Sequence, residues 1–183
     1  MNPSDHNFHL RKKERACTDQ DRINHFLKNA KVGFLGLVDA ASPYVVPVNF
    51  VWSDGKVFFH GAEDGRKADI LRQHPVVCFT VAEEYAILVD AVPAHTTTAY
   101  FSVMLFGTVD ELENPEEKTT AMQQLLDKYA AGRHEHALAA QHIERYRSAL
   151  GSPTGVFALN VRQLTAKEHP VDPERVYRPS ESE

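Results

Sequence analysis

The chain has few cysteines, no long apolar run and no excess of positive charge. Two cysteines among 183 residues are too few for a disulfide framework, which favours a reducing, intracellular compartment. No apolar stretch approaches the about 20 residues that a membrane-spanning helix needs, and the polar N-terminus lacks a signal peptide's apolar core. The net charge of −5 disfavours general nucleic-acid binding, because neutralising phosphates needs a basic field. We therefore expect a soluble, cytoplasmic protein with no nucleic-acid or membrane partner.

The composition is that of one globular domain. Apolar residues make up 43% of the chain and charged residues 25%, which excludes disorder as the dominant state. We expect a mobile arm over residues 1–16, a folded domain over 17–169, and a tail over 170–183 that is disordered or pinned to a partner. Cys78 lies in an apolar run and is expected to be buried, whereas Cys17 lies beside charged residues and is expected to be exposed.

Hydrophobic periodicity predicts an antiparallel sheet with helices as insertions. Strands are predicted over 32–38, 44–52, 57–60, 76–82, 85–89, 99–109 and 155–161. Helices are predicted from a Thr18 cap to near Lys31, from near Asp64 until Pro75 stops the helix, from an Asn114 cap, and over about 135–150. The sum is an α+β fold, mainly antiparallel β, with six or seven strands around a barrel and peripheral helices.

The segment from His60 to Leu71 predicts an anion site. A strand ends, a glycine-containing turn follows, and a helix begins with Arg66 and Lys67 in its first turn. First turns ordinarily favour Asp and Glu because of the helix dipole, so two cations there are in electrostatic conflict. A phosphate at this helix start would relieve the conflict, with Arg66 able to bind it bidentately. The alternative is two solvated basic residues near Asp64 and Asp69.

Pro47 and Asn49 interrupt the second predicted strand. Pro47 removes one donor from the sheet ladder, and Asn49 is a polar residue among apolar neighbours. A flat ligand lying on this strand could accept hydrogen bonds from Asn49 and from the freed backbone. The alternative is a core strand with one edge proline.

The strand over 99–109 has two unlike faces. The odd positions are apolar and predict a core face, whereas Tyr100 and Ser102 bring hydroxyls to the opposite face. That mixed face suits a ligand rim or a subunit interface. The alternative is an ordinary amphipathic strand.

No motif predicts a metal or a catalytic residue. His134, His136 and His142 are spaced by two and six residues, which does not place them on one helix face. The sequence also lacks a nucleotide-binding glycine loop, a nucleophile elbow and HExxH. These absences remove the serine-hydrolase, P-loop and dinucleotide-fold hypotheses.

Five segments together resemble one family. They are Pro43–Val51, Val57–Ala62 with Gly65–Lys67, Tyr100 with Ser102–Val103, Phe106–Gly107, and Leu164–Lys167. They resemble the FMN-binding split-barrel family, the pyridoxamine 5'-phosphate oxidase-like superfamily, and within it the nitroimidazole-resistance (Nim-type) branch. The resemblance covers roughly residues 15 to 168. Phe101 stands where that branch often has a basic residue, and Ala166 stands where glycine is usual.

The resemblance implies a homodimer of split barrels with FMN in grooves at the subunit interface. FAD is the alternative flavin. By resemblance, the ring would be bordered by Pro47, Val48, Asn49 and Phe50; the phosphate would be surrounded by His60, Ala62, Arg66 and Lys67; and Tyr100, Ser102 and Val103 would complete the pocket.

The resemblance leaves three functions open. The first is a flavin-dependent oxidoreductase that reduces nitroaromatic or nitroimidazole compounds with NAD(P)H. The second is a non-enzymatic flavin- or haem-binding sensor or carrier, with His60 or His95 as the candidate haem ligand. The third is a barrel without cofactor that serves as an interaction module.

Overall fold

Seven strands and four α-helices follow one another along the part of the chain that the computed structural model describes. The described residues are 11–40, 42–134, 136–143, 145–147 and 151–179. The strands are β1 Ala16–Cys17, β2 Val32–Val38, β3 Pro43–Ser53, β4 Lys56–Ala62, β5 Val76–Leu88, β6 Thr97–Glu111 and β7 Thr154–His169. The helices are α1 Gln20–Asn29, α2 Arg66–Gln73, α3 Pro115–Tyr129 and α4 Ala140–Ile143.

The strands close into a ring. The hydrogen-bonded order is β1-β7-β4-β3-β2-β5-β6, and β7 also pairs with β6. All recorded pairings between strands are antiparallel. The 16-residue β7 serves both edges of the ring, pairing with β4 over 154–160 and with β6 over 157–169. The predicted fold class, a mainly antiparallel split barrel with peripheral helices, is confirmed.

Alternation along the strands fills the barrel interior. On β6 the odd positions predicted as the core face are buried, namely Ala99, Phe101, Val103, Leu105 and Val109. Phe50 and Phe79 meet edge to face with their centroids 5.1 Å apart. The Phe79 ring also occupies the space beside Gly33, where a Cβ atom would overlap it. Glycine at position 33 therefore belongs to the packing of the core.

Two helix starts show capping side chains. Asn114 was predicted as the α3 cap, and its Oδ1 atom accepts hydrogen bonds from the backbone N–H groups of Glu116 and Glu117. The predicted Thr18 cap is wrong. Asp19 caps α1 instead, accepting from the Arg22 N–H at 3.0 Å. Both residue types are good caps, and adjacent candidates are not separable by propensity alone.

Four other local predictions are wrong. The two strands predicted over 76–82 and 85–89 are one strand, β5, because a bulge between Glu84 and Ala86 absorbs the irregularity that read as a break. Of the helix predicted over 135–150, the described residues form a helix only over Ala140–Ile143. Cys17, expected to be exposed, is half-buried against the core, and Cys78 is also half-buried rather than buried; both are free thiols.

Both ends of the described chain pair with its own strands. Residues Lys13–Arg15 form a short 3-10 helix, after which Ala16 pairs with Lys167 on β7. Towards the other end, Val176 bridges to Leu88, and the Arg175 side chain donates to the Val89 carbonyl at 3.0 Å. The predicted ends of the arm and tail, 1–10 and 180–183, lie outside the described residues, and the domain division stays a prediction. No described helix has the length and apolar character required to cross a membrane.

Candidate functional site

The first turn of α2 presents two cations at the end of a well-anchored helix. Gly65 precedes the helix at φ 103, in the left-handed region that glycine tolerates best. Ala68, Ile70 and Leu71 are buried and fix the helix against the barrel. The start of α2 is therefore rigidly placed, with Arg66 and Lys67 in its first turn.

Arg66 is held by the connection between β2 and β3. Its guanidinium contacts the Asp39 carboxylate at 2.9 Å and donates to Ser42 Oγ at 3.3 Å. The same guanidinium lies over the Tyr44 ring, 4.3 Å from the centroid. The alternative of a cation solvated beside Asp64 and Asp69 therefore does not describe Arg66, although half of its side chain remains exposed.

Lys67 lies in an aromatic niche without a carboxylate. Its Nζ atom is 5.7 Å from the Phe59 ring centroid and 5.4 Å from that of Phe157. It also fills the space beside Gly61, where a Cβ atom would overlap it. No carboxylate of the described residues forms an ion pair with it, and burial lowers the Lys67 pKa. A desolvated ammonium of this kind gains most from an anion.

His60 lies near the end of β4, where the charge of Lys67 acts on its imidazole. Although the residue is exposed by its accessible surface, the surrounding protein atoms and the Lys67 charge lower the His60 pKa. The imidazole is thus neutral at neutral pH and offers one N–H donor rather than a second charge. Ala62, two residues on, is half-buried.

The β3 residues predicted to border a ring divide between two faces. Pro47 and Asn49 are exposed on the outer face, whereas Val48 is half-buried and Phe50 is fully buried, packing towards the core. The backbone of Phe50 is held by α3: its N–H donates to Tyr129 Oη at 2.8 Å, and its carbonyl accepts from Lys128 Nζ at 2.9 Å. Side chains of α3 thus fix the strand next to Asn49.

Lys128 and Tyr129 are the residues that sequence reasoning missed in this role. Both residues lie in the helix predicted from the Asn114 cap, where no motif singles them out. Burial, and then the charge of Lys31, lower the pKa of Lys128 to about 8. The Lys128 Nζ atom lies 4.2 Å from the Phe50 ring centroid. The position of the Lys128 ammonium at the Phe50 backbone is known only from the three-dimensional structure.

Tyr100, Ser102 and Val103 lie on β6, away from β3. Tyr100 and Ser102 are half-buried on the outer face, and Val103 is buried in the core with no exposed side-chain surface. The strands β2 and β5 separate β3 from β6, so three strand spacings, about 14 Å, lie between them. A single chain therefore places the predicted residues of β3 and β4 on adjacent strands and those of β6 three strands away from β3.

Apolar side chains cover the outer face between these two groups. In register, Phe34 lies opposite Pro47 on one side and Thr80 on the other, and Thr80 lies opposite Met104. Phe34 is 46% exposed and Val76 is 64% exposed, and Val38, Val45 and Met104 are exposed as well. We refer to Phe34, Val38, Val45, Val76 and Met104 as the outer apolar face. A contiguous exposed apolar surface of this kind is typical of an interface.

The remaining histidines do not form a metal site within the described residues. His134, His136 and His142 line a cleft of about 340 Å³ whose other walls include the apolar Met122 and Leu126. His95 lies 3.7 Å from Asp90, the carboxylate that also pairs with Arg175. Across the described ranges, no three His, Cys, Asp or Glu side chains are placed to share a metal ion.

The ring of strands and the match along the sequence together define the family. Residues 19–168 match the family model described as pyridoxamine 5'-phosphate oxidase, so the chain belongs to that family. The resemblance stated from the sequence segments is thereby confirmed. No curated protein is detectably similar to the chain in sequence.

Solved structures with a similar fold include the following three. The flavocytochrome Anf3 from Azotobacter vinelandii is 23% identical, with a TM-score of 0.77 over 94% of this chain and 79% of that one. A FAD and heme binding protein from Mycobacterium smegmatis is 19% identical, with a TM-score of 0.70 over 87% and 77%. A proposed 5-nitroimidazole antibiotic resistance protein from Bacteroides thetaiotaomicron is 24% identical, with a TM-score of 0.66 over 83% and 85%.

Proposed function

We propose that this protein binds FMN and acts as a flavin-dependent oxidoreductase. The observation that carries the proposal is Lys67, a desolvated cation in the first turn of α2 with no carboxylate partner among the described residues. Family membership supports a flavin, as do the similar folds of a flavocytochrome and of a FAD and heme binding protein. FMN fits this site because its phosphate is a terminal monoester, which offers a single anionic group at the end of the molecule.

The residues present fit a phosphate at this position. Gly61 leaves room for the Lys67 ammonium beside β4, and the neutral His60 offers a further N–H. Arg66 already forms an ion pair with Asp39, so it contributes to the phosphate less than a free guanidinium would. Binding the anion would raise the pKa of Lys67 back towards its ordinary value, because a nearby negative charge stabilises the ammonium.

A second copy of the chain completes the proposed site. Tyr100 and Ser102 are separated from β3 by two strands, so we infer that they belong to the pocket of the other subunit. The outer apolar face, which includes the 46%-exposed Phe34 between those strands, would be buried in such a dimer. Each subunit would then contribute β3 and α2 to one pocket and β6 to the other.

The flavin, when bound, supplies the hydride or electron transfer, and the protein supplies position and electrostatics. Lys67 and Arg66 hold the phosphate, which fixes where the ring lies. Asn49, exposed on β3, presents amide groups that can hydrogen-bond a ring edge. Tyr129 and Lys128 hold the Phe50 backbone and so keep that strand in place. We propose a nitroaromatic or nitroimidazole acceptor and NAD(P)H as donor.

The proposal is tested by reconstitution and turnover. Apoprotein is titrated with FMN, and the loaded protein is then mixed without oxygen with NADH or NADPH, followed by a nitroimidazole. We expect the flavin absorbance to bleach with the donor and return with the acceptor. Flavin that binds but is never reduced would contradict the proposed oxidoreductase activity and leave the protein as a flavin carrier. Protein that takes up no FMN would contradict the whole proposal.

A further inference from the structure

A patch of positive charge lies beside Tyr100 and is not used by the proposed phosphate site. It consists of Arg11, Lys12, Lys13, Arg15 and Lys167, which we call the basic patch. Four of its members fall within five consecutive residues of a chain whose net charge is −5. Such local concentration against an acidic background marks a candidate anion surface.

The fold brings the basic patch to the rim of the β6 residues. Lys167 on β7 lies opposite Ser102 on one side and opposite Ala16 on the other. The Arg15 guanidinium lies over the Tyr100 ring, 5.9 Å from its centroid. Lys167 Nζ also donates to the Arg11 carbonyl at 2.7 Å, which ties the N-terminal segment to the sheet. The cations therefore flank the same outer-face residues that the proposed pocket uses.

The described carboxylates near the basic patch leave it unneutralised. Glu168, the neighbour of Lys167, pairs with Arg22 instead. Glu14, in the short 3-10 helix, and Glu84, opposite Tyr100, are exposed and form no ion pair with the patch. Within the described ranges, no carboxylate lies within the 4.0 Å ion-pair distance of Lys12, Lys13 or Arg15. Among the described residues, the charge of the patch is therefore not balanced by an ion pair.

We propose that the basic patch binds the pyrophosphate of a dinucleotide whose reactive end lies at the Tyr100 rim. The inference rests on the proposed flavin site, because that site gives the dinucleotide its place at Tyr100. Several cations in one short segment suit a group that carries two linked phosphates. The same pyrophosphate group occurs in a nicotinamide dinucleotide donor and in FAD, and the experiment separates the two.

The test uses a double variant that removes charge without removing the sheet contacts. Lys13→Ala with Arg15→Ala leaves the backbone of the 3-10 helix and the tie from Lys167 in place. Lys56→Ala is the matched control, since Lys56 is exposed and pairs with Asn160, about 23 Å along β7 from Lys167. All proteins carry Lys67→Met, which weakens phosphate binding at α2 and keeps its remaining contribution the same in every protein.

Binding of ADP and of adenosine is measured by titration calorimetry on the full chain. We expect the ADP dissociation constant to rise about tenfold in the double variant and to stay unchanged in the Lys56 control. Adenosine, which lacks the pyrophosphate, should respond to neither change. ADP affinity that is equal in all three proteins, or that is absent before the double change, would overturn the inference.

Two further measurements, made with Lys67 intact, identify the dinucleotide. A KM for NADPH that rises in the double variant, with FMN affinity unchanged, would assign the patch to the donor. An affinity for FAD that falls while that for FMN holds would assign it to the cofactor. A chain that binds ADP through the patch but takes up no flavin would refute the proposed function and leave the pyrophosphate site standing.

Discussion

Replacing Lys67 with methionine should separate the phosphate from the rest of the flavin. Methionine keeps an unbranched, apolar stem that can lie over Phe59 and Phe157, but it removes the ammonium. A hydrogen bond to a charged group contributes about 1.5–3 kcal/mol. Losing it should therefore weaken FMN binding by about 10- to 150-fold, since 1.4 kcal/mol corresponds to a factor of ten.

Riboflavin provides the internal control for this change, because it has the same ring and ribityl chain without the phosphate. Its affinity should stay within about twofold in Lys67→Met, because no charged partner is lost. Both ligands can be titrated into apoprotein while their fluorescence is followed. The protein itself should remain as stable as before or become more stable, because the desolvation that lowers the pKa of Lys67 is removed. Equal losses for FMN and riboflavin would refute a phosphate at this helix start.

Three other substitutions test the Asp39 ion pair, the packing at Gly33 and the burial of Lys128. Asp39→Asn should tighten FMN binding a few-fold, because it frees the Arg66 guanidinium from its ion pair. Weaker FMN binding in a titration would instead mean that Asp39 only orients Arg66. Gly33→Ala should cost about 1–3 kcal/mol in denaturant unfolding because the new methyl overlaps the buried Phe79 ring; a neutral result would contradict that packing. Lys128, whose folded pKa is about 8, sheds its proton before the unfolded chain does. Wild-type unfolding free energy should therefore rise relative to Lys128→Met between about pH 8 and pH 10, by about 1 kcal/mol after allowing for exposure, and a flat difference would argue against a desolvated lysine.

The strands were predictable where periodicity and turn residues agree. The bounds of β2 match the predicted 32–38, and the alternation on β6 placed its core face correctly. Prediction failed where local signals have two explanations. The bulge in β5 read as a gap between strands, and Thr18 read as a cap beside the Asp19 that caps α1. At such places the competing conformations differ in free energy by less than residue propensities can distinguish.

The candidate site was only partly visible in the sequence. Two basic residues at a helix start gave a sound reason to consider an anion, because the dipole makes that placement unfavourable by itself. The Asp39 carboxylate on Arg66 was not predictable, since 27 residues separate the pair along the chain. Lys128 reaches the Phe50 carbonyl across 78 residues and carries no local pattern. Contacts of this range depend on the closed barrel, so only the structure reveals them.

An absorbance spectrum of the purified protein shows whether the protein holds a flavin. The cofactor is then released with acid and identified by chromatography. We expect visible flavin bands and released FMN, or their appearance once FMN is added to apoprotein. A colourless protein that takes up no added FMN would contradict the assignment of a flavin phosphate to Lys67.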